Sequence, residues 1–190
     1  MRNGATFRIA ALAAVLATIC GCEPGGDLKL LTSTEVGHDY RLGPTDEVRV
    51  TTYNEPTLSG EFVVDQGGAV ALPLLGPVQA DGLTTAELSH RIEDTLHARK
   101  LFAEPNVVTQ VIRYRPVYVL GEVQHPGPFA FQAHMTFLEV VALAGGFTPR
   151  AVKSRAEIIR VTARGTEQGR LEPASTVQPG DVITVLERNF

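Results

Sequence analysis

Tyr114-Arg115-Pro116-Val117-Tyr118-Val119-Leu120-Gly121-Glu122-Val123-Gln124-His125-Pro126-Gly127-Pro128-Phe129, continued through Thr136-Phe137-Leu138-Glu139-Val140-Val141-Ala142-Leu143-Ala144-Gly145-Gly146-Phe147-Thr148-Pro149, is the stretch around which the chain is organised. Val117 to Leu120 are β-branched, aromatic or large apolar residues and read as a buried strand. His125 to Pro128 reads as a turn, since proline fixes φ and glycine admits positive φ. Phe129, Ala130 and Phe131 read as a returning strand. Thr136 and Glu139 form a Thr-x-x-Glu capping box, which opens a helix by satisfying its orphan N–H groups. That helix is expected to carry Leu138, Val141 and Ala142 on one face and to stop at Gly145-Gly146. A hairpin that hands over to a helix is a β-grasp-like unit, and nothing in it has the pattern of a catalytic site.

Downstream, Glu157-Ile158-Ile159-Arg160-Val161 alternates poorly and reads as a buried strand. Gly165 to Gly169 reads as a polar turn. Val177-Gln178-Pro179-Gly180-Asp181 leads into a last strand, Val182 to Leu186.

Upstream lies a second unit. Val48 and Val50 face one way around Arg49, as in a half-buried strand. Phe62-Val63-Val64, the turn Asp65-Gln66-Gly67-Gly68 and Ala69-Val70-Ala71-Leu72 make a hairpin. Pro73 and Pro77 confine the following strand to an edge or a short length. Thr84 and Glu87 form another capping box, and Leu88, Ile92 and Leu96 give an amphipathic helix its stripe. Val107, Val108, Val111 and Ile112 build the next strand.

The two units echo one another. Leu75-Gly76-Pro77-Val78-Gln79 and Leu120-Gly121-Glu122-Val123-Gln124 agree at four of five places. Pro44-Thr45-Asp46-Glu47-Val48 and Pro179-Gly180-Asp181-Val182 are each a turn that feeds a strand. The expected class is therefore α+β: two small mixed modules that use the same local devices, the first of the sheet-plus-helix kind over 38–113 and the second a β-grasp over 114–190.

At the N-terminus, Arg2 and Arg8 precede an apolar run from Ile9 to Ile19. The run is shorter than the ~20 residues a spanning helix needs, and it reads as a secretory signal over 1–21. Ile19-Cys20-Gly21-Cys22 resembles the bacterial lipoprotein signal, with Cys22 as the residue that would carry the lipid. Several acyl chains make such attachment stable. Glu23 in the following place, rather than Asp, resembles sorting to the outer membrane. Residues 22–37, with Pro24-Gly25-Gly26, read as a flexible tether. Cys20 and Cys22 have no distant partner, so no disulfide framework is expected.

The formal charge of −4, which becomes −6 when the signal removes two arginines and no acids, offers no basic field to nucleic acid. His38, His90, His97, His125 and His134 are dispersed and complete no zinc site. Nucleophile-elbow, zinc-protease and phosphate-loop motifs are absent from the sequence. Neither a cofactor nor an enzymatic activity is expected. Arg113-Tyr114-Arg115 is the basic-aromatic knot of the chain. It is a candidate contact for a glycan or a neighbouring subunit, against the plainer alternative of an inter-domain strand with exposed arginines.

Taken in order, Tyr40-Arg41-Leu42-Gly43-Pro44-x-Asp46, Leu58-Ser59-Gly60, Leu72-Pro73-Leu74-Leu75-Gly76-x-Val78, Gly82-Leu83-Thr84-x-x-Glu87-Leu88 and Tyr114-Arg115-Pro116 through Gly146-Phe147-Thr148 resemble the polysaccharide export family of outer-membrane lipoproteins. The last piece resembles its soluble-ligand-binding β-grasp (SLBB) module. The resemblance implies movement of capsular or exopolysaccharide chains across the periplasm and outer membrane. It implies a homo-oligomeric ring and an inner-membrane co-polymerase as partner. The sequence carries one β-grasp module and ends without an amphipathic C-terminal helix. The expectation is thus a lipid-anchored, periplasm-facing member that works with a separate outer-membrane channel. A periplasmic lipoprotein that binds a small ligand, as sensor or scaffold, is the alternative.

Overall fold

A computed structural model describes residues 28–31, 40–162 and 165–188. The signal segment, Cys22, most of the tether and His38 lie outside the described residues. The described chain forms two modules with separate apolar cores.

In the first module, β1 (Glu47–Thr52) runs antiparallel between β2 (Gly60–Val63) and β5 (Val107–Arg113). Val48 and Val50 are buried while Arg49 faces solvent, as the alternation requires. The Asp65 carboxylate accepts from Ala69 N–H at 2.9 Å and turns the chain into a short hairpin, β3 (Ala69–Leu72) and β4 (Gly76–Gln79). Helix α1 (Thr85–Ala98) packs Leu88, Ile92 and Leu96 inward, each no more than 2% exposed. Each such burial contributes roughly 1.5–3 kcal/mol. The capping box is complete: Glu87 N–H donates to the Thr84 hydroxyl, and Thr84 N–H donates to the Glu87 carboxylate.

The second module is a five-stranded mixed sheet in the order β7-β6-β10-β8-β9. It comprises β6 (Val117–Gly121), β7 (Gly127–Phe129), β8 (Ala156–Thr162), β9 (Gly165–Leu171) and β10 (Val182–Val185). The first and last of its strands, β6 and β10, lie parallel in the middle, and the other pairs are antiparallel. Helix α2 (Phe137–Leu143) crosses between the hairpins. This is the β-grasp order. The central pair approaches so closely at Gly121 that a Cβ there would lie 2.2 Å from the Val185 carbonyl oxygen. The strand end therefore requires glycine.

Both helices close alike. Gly146 N–H donates to Val141 O and Gly145 N–H to Ala142 O, a Schellman motif with Gly145 at φ 83°. Leu101 N–H donates to Leu96 O and Lys100 N–H to His97 O, the same motif with Lys100 at φ 55°.

Four expectations change. The buried face of α2 is Phe137, Val140 and Val141, with Ala144 beyond its end, while Leu138 is 49% exposed and Ala142 is exposed too. Phe137 is the first helical residue and meets Phe147 edge-on at 6.1 Å, which rotates the stripe by one position. The returning strand β7 begins at Gly127 and ends at Phe129, and Phe131 is buried beyond it. In β8, Ile158 and Arg160 point inward, whereas Ile159 and Val161 are exposed. Gly165 to Gly169 is no turn but most of β9, which pairs along seven residues of β8. Its polar side chains carry no apolar alternation. Cross-strand pairing with β8 decides its state.

Part of the presumed tether is also structured. Leu30 bridges Arg170 in parallel, and Leu31 is buried in the second core.

Candidate functional site at the module junction

The knot singled out from sequence forms the junction between the modules. Arg113 closes β5, Tyr114 and Arg115 follow, and Pro116 leads into β6. In the β1–β5 ladder the register slips between Glu47 and Val48, so that Glu47 faces Arg113 and Val48 faces Val111. The bulge sets the Arg113 guanidinium 3.2 Å from Glu47, with the arginine side chain 78% exposed. Tyr114 turns the other way. Its ring stands edge-on to Tyr40 at 5.0 Å and to Phe131 at 5.4 Å, bridging the two cores.

Arg115 is held from several sides. Its N–H donates to Asp46 Oδ1 at 2.8 Å, and its Nε donates to the Pro179 carbonyl at 3.0 Å. Its Nη1 lies 3.8 Å from Asp46 Oδ2, and its guanidinium sits 5.7 Å from the centre of the Tyr40 ring. Two glycines make the room. A Cβ on Gly43 would fall 1.8 Å from Nη1, and one on Gly180 would fall 2.6 Å from Nε.

Asp46 is the centre of the arrangement. It is fully buried and accepts from Tyr40 Oη at 2.5 Å, Gly43 N–H at 2.8 Å and Arg115 N–H. A buried carboxylate is tolerated when its lone pairs are filled in this way. Burial, opposed by the Arg115 charge and assisted by donation to Asp46, holds the Tyr40 phenol well above its ordinary range. The phenol stays protonated and keeps donating.

The three residues of the knot are therefore brought together but do different things. Tyr114 and Arg115 are engaged by neighbours from both modules, and Arg113 presents an exposed cation beside Glu47. Cys22 lies outside the described residues. His90, His97, His125 and His134 are exposed and dispersed, with His90 Nδ1 3.2 Å from Glu93. Among the described residues no three metal-ligating side chains come together. No described helix is long and apolar enough to cross a membrane. Sequence reasoning did not single out Tyr40, Asp46 or Gly180 for this junction. The signal was present in the recurring Pro-x-Asp turns, but nothing local says that Arg115 joins them.

Comparison with known proteins assigns the modules. The model of the "Polysaccharide biosynthesis/export protein" family matches residues 34–112, and that of the "SLBB domain" matches residues 116–171. The chain is 35% identical over 121 residues to the exopolysaccharide production protein ExoF of Rhizobium meliloti (strain 1021), covering 57% of this chain and 28% of that protein. It is 30% identical over 114 residues to the polysialic acid transport protein KpsD of Escherichia coli, covering 58% of this chain and 20% of that protein. The chain thus spans less than a third of the length of these relatives. With both modules matched in consecutive order and folded as a sheet-plus-helix unit followed by a β-grasp, the chain belongs to the polysaccharide biosynthesis/export protein family.

Proposed function

We propose that this chain is a lipid-anchored component of a polysaccharide export system in a Gram-negative envelope, placed at the outer membrane and facing the periplasm. It acts as an oligomeric conduit or adaptor. The reading is carried by one observation: an export-type module and an SLBB module lie in consecutive order and share a part-buried hydrogen-bonded junction at Asp46 and Arg115. The names of the relatives, one for exopolysaccharide production and one for polysialic acid transport, support the substrate class.

Guiding a glycan asks for no covalent step. It asks for walls of fixed shape whose polar groups exchange sugar hydroxyls quickly, because tight binding would stall the polymer. Filled hydrogen bonds at Asp46 and Arg115 suit a structural role, and the exposed Arg113 is the member of the knot open to a glycan or a neighbouring subunit. In this reading the partners are the polysaccharide, further copies of the chain in a ring, an inner-membrane co-polymerase and a separate outer-membrane channel. Cys22 carries the lipid.

The test is a strain that lacks the protein, assayed for surface and secreted glycan. Export should fall sharply and return with the wild-type copy. Unchanged amount and chain length of the glycan would overturn the reading. Metabolic labelling with a fatty acid should mark the wild type and not Cys22→Ser.

A further inference from the structure

Strand β9 is an edge of the second sheet, and edges left open invite pairing with other chains. It also carries glycine in its interior, at Gly169, which is buried. Glycine weakens a strand and often marks a place where another backbone approaches closely. That backbone is the chain's own N-terminal arm. Leu31 N–H donates to Arg170 O at 3.0 Å, and Arg170 N–H donates to Lys29 O at 2.9 Å. A Cβ on Gly169 would lie 2.4 Å from Leu31 Cγ and 2.6 Å from the Lys29 carbonyl oxygen. The second of these is backbone and cannot rotate away. Leu31 itself, 9% exposed, joins the core of the second module.

We propose that the β9 edge is a docking site for the chain's own N-terminal arm, Leu28–Leu31, and that Gly169 is the residue that admits it. The arm adds a short parallel bridge, reads the edge through two backbone hydrogen bonds and is secured by Leu31. This is strand addition, with a side-chain pocket giving the register. The arm meets the second module, although the next described residue, Tyr40, belongs to the junction and packs on the first core. Because the arm runs parallel to β9, it enters from the end of the sheet where β8 turns into β9.

The consequence for anchoring rests on the Cys22 reading above. Cys22 lies six positions before Leu28, a reach of about 20 Å at full extension. A lipid there ties the β9 edge of the second module to within about that distance of the membrane.

Amide hydrogen exchange on the full mature chain tests the docking. The Leu31 and Arg170 amides should be protected in the wild type. Gly169→Val should speed both by about tenfold or more, as expected for a local opening, while Val119 and Ile183 in the central strands keep their protection. Leu31→Asp should release the same two amides while the β8–β9 pairing stays intact. Open-chain exchange of Leu31 in the wild type would overturn the proposal, as would unchanged protection in both variants. Protection that falls on dilution would also overturn it, because the occupant would then be the arm of a second copy. Absence of lipid on Cys22 with the arm still protected would remove the anchoring consequence and leave the docking supported.

Discussion

Asp46 in the first module and Asp181 in the second each follow a proline and a residue with positive φ, Thr45 at 73° and Gly180 at 85°. Each turns its carboxylate back on the amide three residues earlier, Gly43 at 2.8 Å and Gln178 at 2.6 Å. Each is fully buried. From there they diverge. Asp181 takes a bidentate pair from Arg160 on β8, at 2.8 and 2.7 Å, and closes its own module. Asp46 takes Tyr40 and the Arg115 amide, so it ties the first module to the segment that begins the second. One turn chemistry serves one module internally and joins two modules in the other case. The partner that the carboxylate meets decides which.

The same contrast runs through the helix ends. Both modules start a helix with Thr-x-x-Glu and end it with a Schellman motif. At the two matched left-handed positions the second module has Gly145 and Gly180, whereas the first has Lys100 and Thr45. Side chains in that region cost roughly 1–2 kcal/mol each, so at these two positions the first module holds strain that the second avoids.

The comparison can be broken first at the aspartates. Asp181→Ala leaves Arg160 buried and unpaired, and should destabilise the second module by about 3–5 kcal/mol in denaturant unfolding. Asp46→Ala should cost less, because the Arg115 side chain is 24% exposed and can turn to water. Equal losses would show that the two turns are energetically interchangeable. Next, Arg115→Ala should cost about 1.5–3 kcal/mol, the scale of hydrogen bonds from a charged group. It should also split a shared unfolding transition into two by calorimetry.

The caps come next. Thr84→Ala and Thr136→Ala should each cost about 1 kcal/mol. Backbone donation from Thr84 lowers the Glu87 carboxyl, and donation from Thr136 lowers the Glu139 carboxyl. A carboxyl lowered on folding contributes stability above its unfolded pKa and loses it as pH falls through the folded value. Acidification below the ordinary glutamate range should therefore weaken both helix starts, and Glu87→Gln with Glu139→Gln should flatten that acid limb in circular dichroism. The smallest effect is a gain. Lys100→Gly or Thr45→Gly should raise stability by up to about 1 kcal/mol, measured by denaturant midpoint.

Much of this architecture was legible because it is local. Capping boxes, the Leu88-Ile92-Leu96 stripe and the Val48-Val50 alternation depend on residues within a turn or two of one another. Both α2 and β9 resisted for physical reasons. The α2 stripe begins at Phe137, inside the capping box, where sequence spacing alone also permits Leu138. Strand β9 has polar side chains outward and depends on β8 for its state. The junction was readable only in part. Arg113, Tyr114 and Arg115 stood out as a cluster, but the Asp46 that Arg115 meets lies 69 residues away. Burial of a lone aspartate is invisible until its donors are placed.

The claim on which the account turns is that the Asp46 turn and Arg115 hold the two modules as a single body. Spin labels at Glu61→Cys and Glu167→Cys, one in each module on exposed strand positions, measure it directly by pulsed electron resonance. The wild type should give one narrow distance distribution and Arg115→Ala a broad one with each module still folded. Equal widths in the two proteins would contradict the account.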